Sequence, residues 1–362
     1  MEPAGARDRS GRPEVANRNA RDTDTNATER HPKGMTSTQP RREPLGHDPH
    51  PHNSGSLDHV IGVDLGGTKI RAGIATVAGE LLAEKRTDTS SDGSDVSGQI
   101  YSLALELCDT IGITLDRVAA TGVGGAGVPD TTGTTFDLAP NLTALSAIPF
   151  TERLSALLGH PVVIENDVNV SAVGELIAGL GRGHSDFVFI SVGTGIGMGI
   201  IANGSLVRGA KGAAGEIGFL PFGADPLESA NHVRGPLEEV TAGDAVSSRF
   251  LVSEGSVLSP EEIFARAATG DQRAVDAVDE EARWLAAGIV AVNAVLAPEL
   301  IVLGGGIGTR ADLLPRITSW LNRFGQPDLT IRVSELGHLA PVIGAVTIAT
   351  EAAAAAQKGT SR

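Results

Sequence analysis

One cysteine, Cys108, stands in a chain of 362 residues. A single thiol closes no internal disulfide and builds no cysteine-based zinc site, which suits a reducing compartment, the cytoplasm. Aromatic residues make up only 3% of the chain against 46 glycines, a balance that suits a soluble fold with many close backbone turns. A basic excess is also missing: 29 Lys and Arg face 44 Asp and Glu, for a formal net charge of −15. Capture of nucleic acid or of an anionic membrane by bulk charge is therefore disfavoured. No basic segment followed by an apolar one opens the chain, so no signal peptide is expected. The uncharged run from Phe187 to Val207 is long enough to span a membrane, but Gly193, Gly195, Gly197 and Gly199 interrupt it. It reads better as two strands joined by a glycine turn.

The glycines have no three-residue period, which excludes collagen. Residues 1–57 contain no aromatic side chain and carry nine basic and eight acidic ones. Such a segment buries too little apolar surface to order itself and reads as a disordered tail, with Met35 as an alternative start. His31, His47, His50 and His52 fall here and read as solvated loop residues rather than a metal site. The remainder, with 20 basic and 36 acidic residues, is long enough for two lobes.

Apolar runs at His59–Asp64, Lys69–Val77 and Leu81–Thr87 are separated by the turns Gly66-Gly67 and Ala78-Gly79-Glu80. Three consecutive antiparallel strands follow. Helical spacing is predicted over Gly98–Ile111, Thr151–Leu158 and Val168–Leu180, and buried strands over Ala119–Val123 and Pro161–Glu165. A second hairpin starts at Phe187. Ser259-Pro260-Glu261-Glu262 has the hydroxyl, proline and acid of a helix start. A long helix is predicted from about Asp271 to Leu296, stopping at Pro298, then a strand over Glu299–Leu303 delivering Gly304-Gly305-Gly306, and an alanine-rich closing helix over Ile343–Ala355. The chain thus holds two similar passages of hairpin, glycine turn, helix and strand.

Eight ordered segments are specific: VIGVDLGGTKIRAG from Val60, GVGGAGVPD from Gly122, VVIENDVNVSAVGE from Val162, ISVGTGIGMGI from Ile190, GAAGEIG from Gly212, GPLEEVTAG from Gly235, PELIVLGGGI from Pro298 and VIGAV from Val342. In order and spacing they resemble the repressor, open reading frame and kinase (ROK) family of sugar kinases, in its bacterial glucokinase-like form. The resemblance covers about 300 residues. It implies an α/β fold of the actin-like ATPase type, a duplicated ribonuclease-H-like core with nucleotide and sugar in the cleft between two lobes. Residues 58–165, with a closing helix over 342–357, would form the small lobe, and 166–341 the large one. The resemblance further implies ATP and Mg2+ as cofactors, a small-molecule sugar substrate, no nucleic-acid or membrane partner, and a homodimer.

The residues fit those roles. In the first turn Gly66 and Gly67 let backbone amides approach a phosphate, Thr68 and Lys69 add donors and charge, and Asp64 at the strand end can hold magnesium through water. A plain hairpin turn also needs glycine but gives no reason for the Asp, Thr and Lys around it. Gly193, Thr194 and Gly195 repeat the device, and Gly304, Gly305 and Gly306 would let an adenine-ribose approach the backbone. Asp167 matches the family base, the carboxylate that accepts the attacking hydroxyl's proton. Asn166 beside it suits a sugar hydroxyl, and the alternative reading is that this pair caps the next helix. Glu216 and Glu238 match acids that accept sugar hydroxyls, with Gly127 and Asn141 on the opposite wall. Glu239 reads as a solvated acid, and Cys108 as packing.

Two departures stand out. Many members of the family follow the GEIG turn with a His that ligates zinc and touches the sugar, then three cysteines; here Phe219 takes that place and no cysteine follows. No zinc site is expected, and a lone His232 reads as a surface residue. Ala126 replaces the family's proline in the sugar-side loop. The expected reaction is ATP-dependent phosphorylation of a hexose, glucose to glucose 6-phosphate, with Asp167 as general base. The alternatives are another sugar (an N-acetylhexosamine, mannose or fructose), a polyphosphate donor, or a non-catalytic sugar-binding protein or transcriptional regulator of the same superfamily. A regulator of that kind needs a winged helix, for which residues 1–57 have neither the apolar period nor the basic positions.

Overall fold

The computed structural model describes residues 56–90, 95–130, 132–137, 149–254 and 257–360. Residues 1–55 of the predicted tail and Asn141 lie outside them. Strands β1 (His59–Leu65), β2 (Lys69–Thr76) and β3 (Leu81–Asp88) form the expected antiparallel meander. Helix α1 (Val96–Ile111) returns the chain to β4 (Val118–Gly125), parallel to β1. A short ribbon of β5 (Val128–Pro129) and β6 (Phe136–Asp137) and helix α2 (Phe150–Leu158) precede β7 (Val162–Asn166), which completes a sheet of order β3-β2-β1-β4-β7.

The second passage repeats the first. After α3 (Asp167–Ala178), the run that length alone offered to a membrane folds as β8 (Phe187–Val192), β9 (Ile196–Ala202) and β10 (Ser205–Leu206). Helices α4 (Glu238–Thr241), α5 (Gly243–Glu254), α6 (Pro260–Ala268) and α7 (Gln272–Leu296) follow. The chain then enters β11 (Leu300–Gly304), α8 (Gly305–Gly308), α9 (Leu313–Arg323) and β12 (Ile331–Val333). The second sheet runs β10-β9-β8-β11-β12, with the same pattern of antiparallel and parallel neighbours as the first. Each sheet has its own aliphatic core: Ile61, Val63, Ile70 and Leu103 on one side, Val188, Ile190, Phe250 and Leu285 on the other.

Local chemistry explains the helix ends. Ser259 and Glu262 form the reciprocal capping box, with Pro260 at the first helical position. Asp271 caps α7 by accepting from the amides of Arg273 and Ala274. The closing helix α10 spans Leu339–Thr360, longer at both ends than the predicted Ile343–Ala355. Pro341 suggests a later start, but it falls in the first turn, where a missing N–H costs no helical bond.

Helices α3 and α10 join the two halves. Each follows the last strand of one sheet and packs on the other: α10 on β1 and β4, α3 on β8 and β9, and both on each other. The helices meet at backbone distance. A Cβ on Gly344 would lie 1.7 Å from the Val170 carbonyl oxygen, and one on Gly174 would lie 2.0 Å from that of Ala340. By length and apolarity Leu339–Lys358 would also cross a membrane, with a mean hydropathy of 1.6. Its Val342, Ala345, Val346 and Ala349 are buried in the fold instead.

The α3–α10 contact sets a stability test. Gly344→Ala gains helix propensity yet puts a methyl group into a backbone carbonyl, and overpacking of this kind costs about 1–3 kcal/mol. Urea unfolding is expected to show a loss of about 2 kcal/mol, and an unchanged midpoint would mean that the helices separate freely.

Candidate functional site

The site is built where strand ends from both sheets reach the start of α3. At the tip of β1, the Gly66 amide donates to the Lys69 carbonyl at 3.0 Å, and the Thr89 hydroxyl and amide hold the carbonyls of Gly66 and Thr68 at 2.8 and 2.9 Å. This fixes the turn from behind and leaves Gly67, Thr68 and Lys69 exposed. Asp64 lies just inside it, with one oxygen 3.3 Å from Nη1 of Arg71 on β2. Burial first, and then the charge of Asp167, push the Asp64 carboxyl up to about 6 against the pull of Arg71.

The β7–α3 junction is held by side chains. Asn166 Oδ1 accepts from the amides of Val168 and Asn169 at 2.9 and 3.1 Å, and Nδ2 donates to the Gly127 carbonyl at 3.1 Å. The capping reading therefore holds for Asn166, which also ties the junction to the left-handed Gly127 (φ +106°) beyond β4. Asp167 opens the helix, and one of its oxygens accepts from the Val168 amide at 2.9 Å. Burial raises its pKa, partly countered by that amide.

Glu165, only 6% exposed, holds the junction from below. One oxygen accepts from the Asn166 amide and from Asn169 Nδ2, and the other from Arg208 Nε at 2.5 Å. Arg208 follows β10, so this pair ties the second passage to the end of β7. The segment it anchors leads to Gly215, which is left-handed (φ +95°) and whose carbonyl accepts from the Met198 amide at 2.9 Å. Glu216 comes next. Burial and the charges of Asp167 and Glu238 raise its pKa, so these three acids share one electrostatic neighbourhood.

The second glycine turn faces the same region. Glu238 spans to it: Oε2 accepts from the Ile196 amide at 2.9 Å and Oε1 from Arg234 Nε at 3.0 Å. Arg234 also donates to Asp244 and to the Thr194 carbonyl. The Gly243 amide, at the start of α5, donates to the Gly193 carbonyl at 2.9 Å. The structure thus brings together Asp64, Asn166, Asp167, Glu216, Glu238 and Gly127 on one side and Gly193, Thr194 and Gly195 on the other. The three later glycines differ. Gly304 is demanded by Phe189, whose ring lies 2.1 Å from where a Cβ would be, and Gly305 by a positive φ against Val192. Only Gly306 faces open space, and its nitrogen would lie 3.8 Å from a Cβ on Gly193.

Sequence reasoning missed the polar supports: the buried Glu165 and Asn169, the part-buried Arg71 and Arg234, and the exposed Arg208. Arg234 precedes α4 and pairs with Glu238 at its start; the partner of Arg71 is set by strand register, and that of Glu165 by the packing of two distant segments. After the GEIG turn stands Phe219, 44% exposed, with no donor atom, and His232 Nε2 lies against the Pro226 carbonyl at 2.9 Å. Among the described residues, no group of three or more His, Cys, Asp or Glu could hold a metal ion.

The folded chain keeps the Asp64 proton up to about pH 6, against 3.8 unperturbed. Ionisation therefore costs stability as pH rises through that window. Asp64→Asn removes this cost, so its stability relative to the parent is expected to improve by about 2 kcal/mol between about pH 4 and about pH 7 in metal-free urea unfolding. A pH-independent difference would contradict the buried setting of Asp64.

Comparison with known proteins agrees with this geometry. The model of the ROK family matches residues 60–352. A glucokinase of Streptomyces coelicolor is 31% identical over 315 residues, covering 81% of this chain and 98% of that one. A ROK hexokinase from Thermus thermophilus superposes with a TM-score of 0.70 at 29% identity, over 80% of this chain and 97% of that one. A ROK family glucokinase from Streptomyces griseus, solved with glucose and AMPPNP, gives 0.67 at 30% identity, over 81% and 99%. The match runs across nearly the whole length of these relatives, and the chain belongs to the ROK family.

Proposed function

We propose that this ROK family sugar kinase transfers the terminal phosphoryl group of ATP to glucose, forming glucose 6-phosphate, with Asp167 as the general base. The observation that carries this reading is the placement of Asp167, a carboxylate with a raised pKa on a capped helix start, next to Asp64 of one turn and Glu216 of the sugar side. A raised pKa makes the carboxylate a better acceptor for the proton of the attacking hydroxyl. Glucose and AMPPNP in the Streptomyces griseus relative support the choice of sugar and nucleotide.

On this reading Glu216 and Glu238 accept hydroxyls of the sugar, with Glu238 using the lone pairs left by Ile196 and Arg234. Asn166 has one amide hydrogen to offer beyond Gly127. Gly127 and Asn141 belong to the opposite wall. Gly66, Gly67, Thr68 and Lys69 on one side and Gly193, Thr194 and Gly195 on the other clamp the phosphates, and Gly306 leaves room for the nucleoside. Asp64 suits Mg2+, being buried beside a second carboxylate with a single cationic neighbour; the ion, when bound, screens the charge of the phosphates. The lobes 58–165 with 342–357 and 166–341, the cytoplasmic homodimer and a tail without catalytic role complete the reading, supported by the lone cysteine and the family resemblance.

Asp167→Asn tests the base. Shape is kept and basicity lost, so glucose affinity by calorimetry is expected to stay within a few-fold while turnover falls on the order of 100-fold or more. Near-parental turnover would overturn the assignment. Phe219 offers no hydrogen bond where family members carry His, so second-carbon variants such as mannose and 2-deoxyglucose are expected to be accepted better than galactose, an apolar wall discriminating by about 1–3 kcal/mol. Catalytic efficiencies over these sugars check this, and rejection of both second-carbon variants would refute it.

A further inference from the structure

Arg234 lies in the segment that replaces the family's cysteines, and no ligand role falls to it in the reading above. Its side chain is 29% exposed, and its guanidinium has three acceptors on three segments: Glu238 Oε1 at 3.0 Å, Asp244 Oδ2 at 3.2 Å and the Thr194 carbonyl at 3.1 Å. The planar fork of arginine suits this arrangement and the single ammonium of lysine does not. Glu238 in turn holds the Ile196 amide at 2.9 Å, so the turn Gly193–Ile196 is gripped at both ends.

The grip fixes the direction of the turn's amides. In a trans peptide the N–H points opposite to the carbonyl of the same unit. With the Thr194 carbonyl drawn to Arg234, the Gly195 N–H is turned away from the clasp. The Gly243 amide does the same for the preceding unit by holding the Gly193 carbonyl at 2.9 Å, which turns the Thr194 N–H away from Gly243. Two amides so turned, beside the Thr194 hydroxyl, are the donors that a phosphate oxygen needs. Loss of the guanidinium frees the turn and leaves Glu238 and Asp244 without a shared cation, with Glu216 close to Glu238.

We infer that Arg234 is a positioning residue that locks the Gly193–Ile196 phosphate turn to the sugar-side acid Glu238, so that the phosphate and sugar sides of the site are held as one body by a polar clasp. This rests on the kinase reading above, with nucleotide at that turn and sugar at Glu238. It assigns to an arginine the closure of a loop whose residues here do not suit a metal.

The test uses the full chain. Calorimetry measures AMPPNP and glucose affinities separately and with the other ligand present, for the parent, Arg234→Met, Arg234→Lys and Asp244→Asn. Arg234→Met is expected to weaken AMPPNP by about tenfold or more and to abolish any tightening of one ligand by the other, because charge-assisted bonds that orient the turn are lost. Arg234→Lys should recover only part of this, and Asp244→Asn, whose carboxylate is 73% exposed, should stay within about threefold. A purely structural role would lower the melting temperature and weaken both ligands alike. AMPPNP affinity within about twofold of the parent in Arg234→Met, or in Arg234→Lys should the methionine variant not fold, overturns the inference. A parent that binds AMPPNP but phosphorylates no hexose overturns the glucose reading instead, while the AMPPNP affinities still decide the role of Arg234.

Discussion

The turn from β7 into α3 carries the site. Asn166 satisfies two of the orphan amides of α3 and reaches back to Gly127, while Glu165 beneath it takes up the Asn166 amide, Asn169 and Arg208. These bonds bind the end of the first sheet, the start of the connecting helix and a loop of the second passage at one point. A carboxylate placed there is held in position and partly withdrawn from water, the setting in which a raised pKa arises. Breaking the buried partnership of Glu165 would disturb Asp167 without touching it.

The same economy governs the frame around the junction. Helices α3 and α10 pack at backbone distance because glycine stands wherever a side chain would collide with a carbonyl. Each helix lies on the sheet of the other half. The two sheets therefore share one rigid pair of helices, while the turns that face the site sit at strand tips where backbone amides are available.

Much of the fold is legible in the sequence because its signals are local. The three-strand meander, the capping box at Ser259 and the stop before Pro298 follow from alternation, hydroxyl and proline chemistry, and the doubled order of strands follows from reading both passages together. Strand β12 has three residues and too short a period to register, and α9 starts after Asp312, whose side chain makes no cap bond. The residue types of the site are legible too, since Asp64, Asp167 and the glycine turns stand in ordered motifs. Their supports are not, because Arg71 meets Asp64 only through strand register and Arg208 meets Glu165 only through the packing of two distant segments. Gly304 carries a demand the sequence does not show, since the Phe189 ring leaves no room there for a Cβ.

The central claim is that this junction, between two phosphate-binding turns, transfers phosphate to a sugar hydroxyl. Phosphorus NMR of the protein with ATP, magnesium and glucose follows that transfer directly. The account predicts the growth of a sugar 6-phosphate signal in step with ADP. ADP accompanied only by inorganic phosphate, or an unchanged ATP spectrum with glucose and every other hexose supplied, would contradict it.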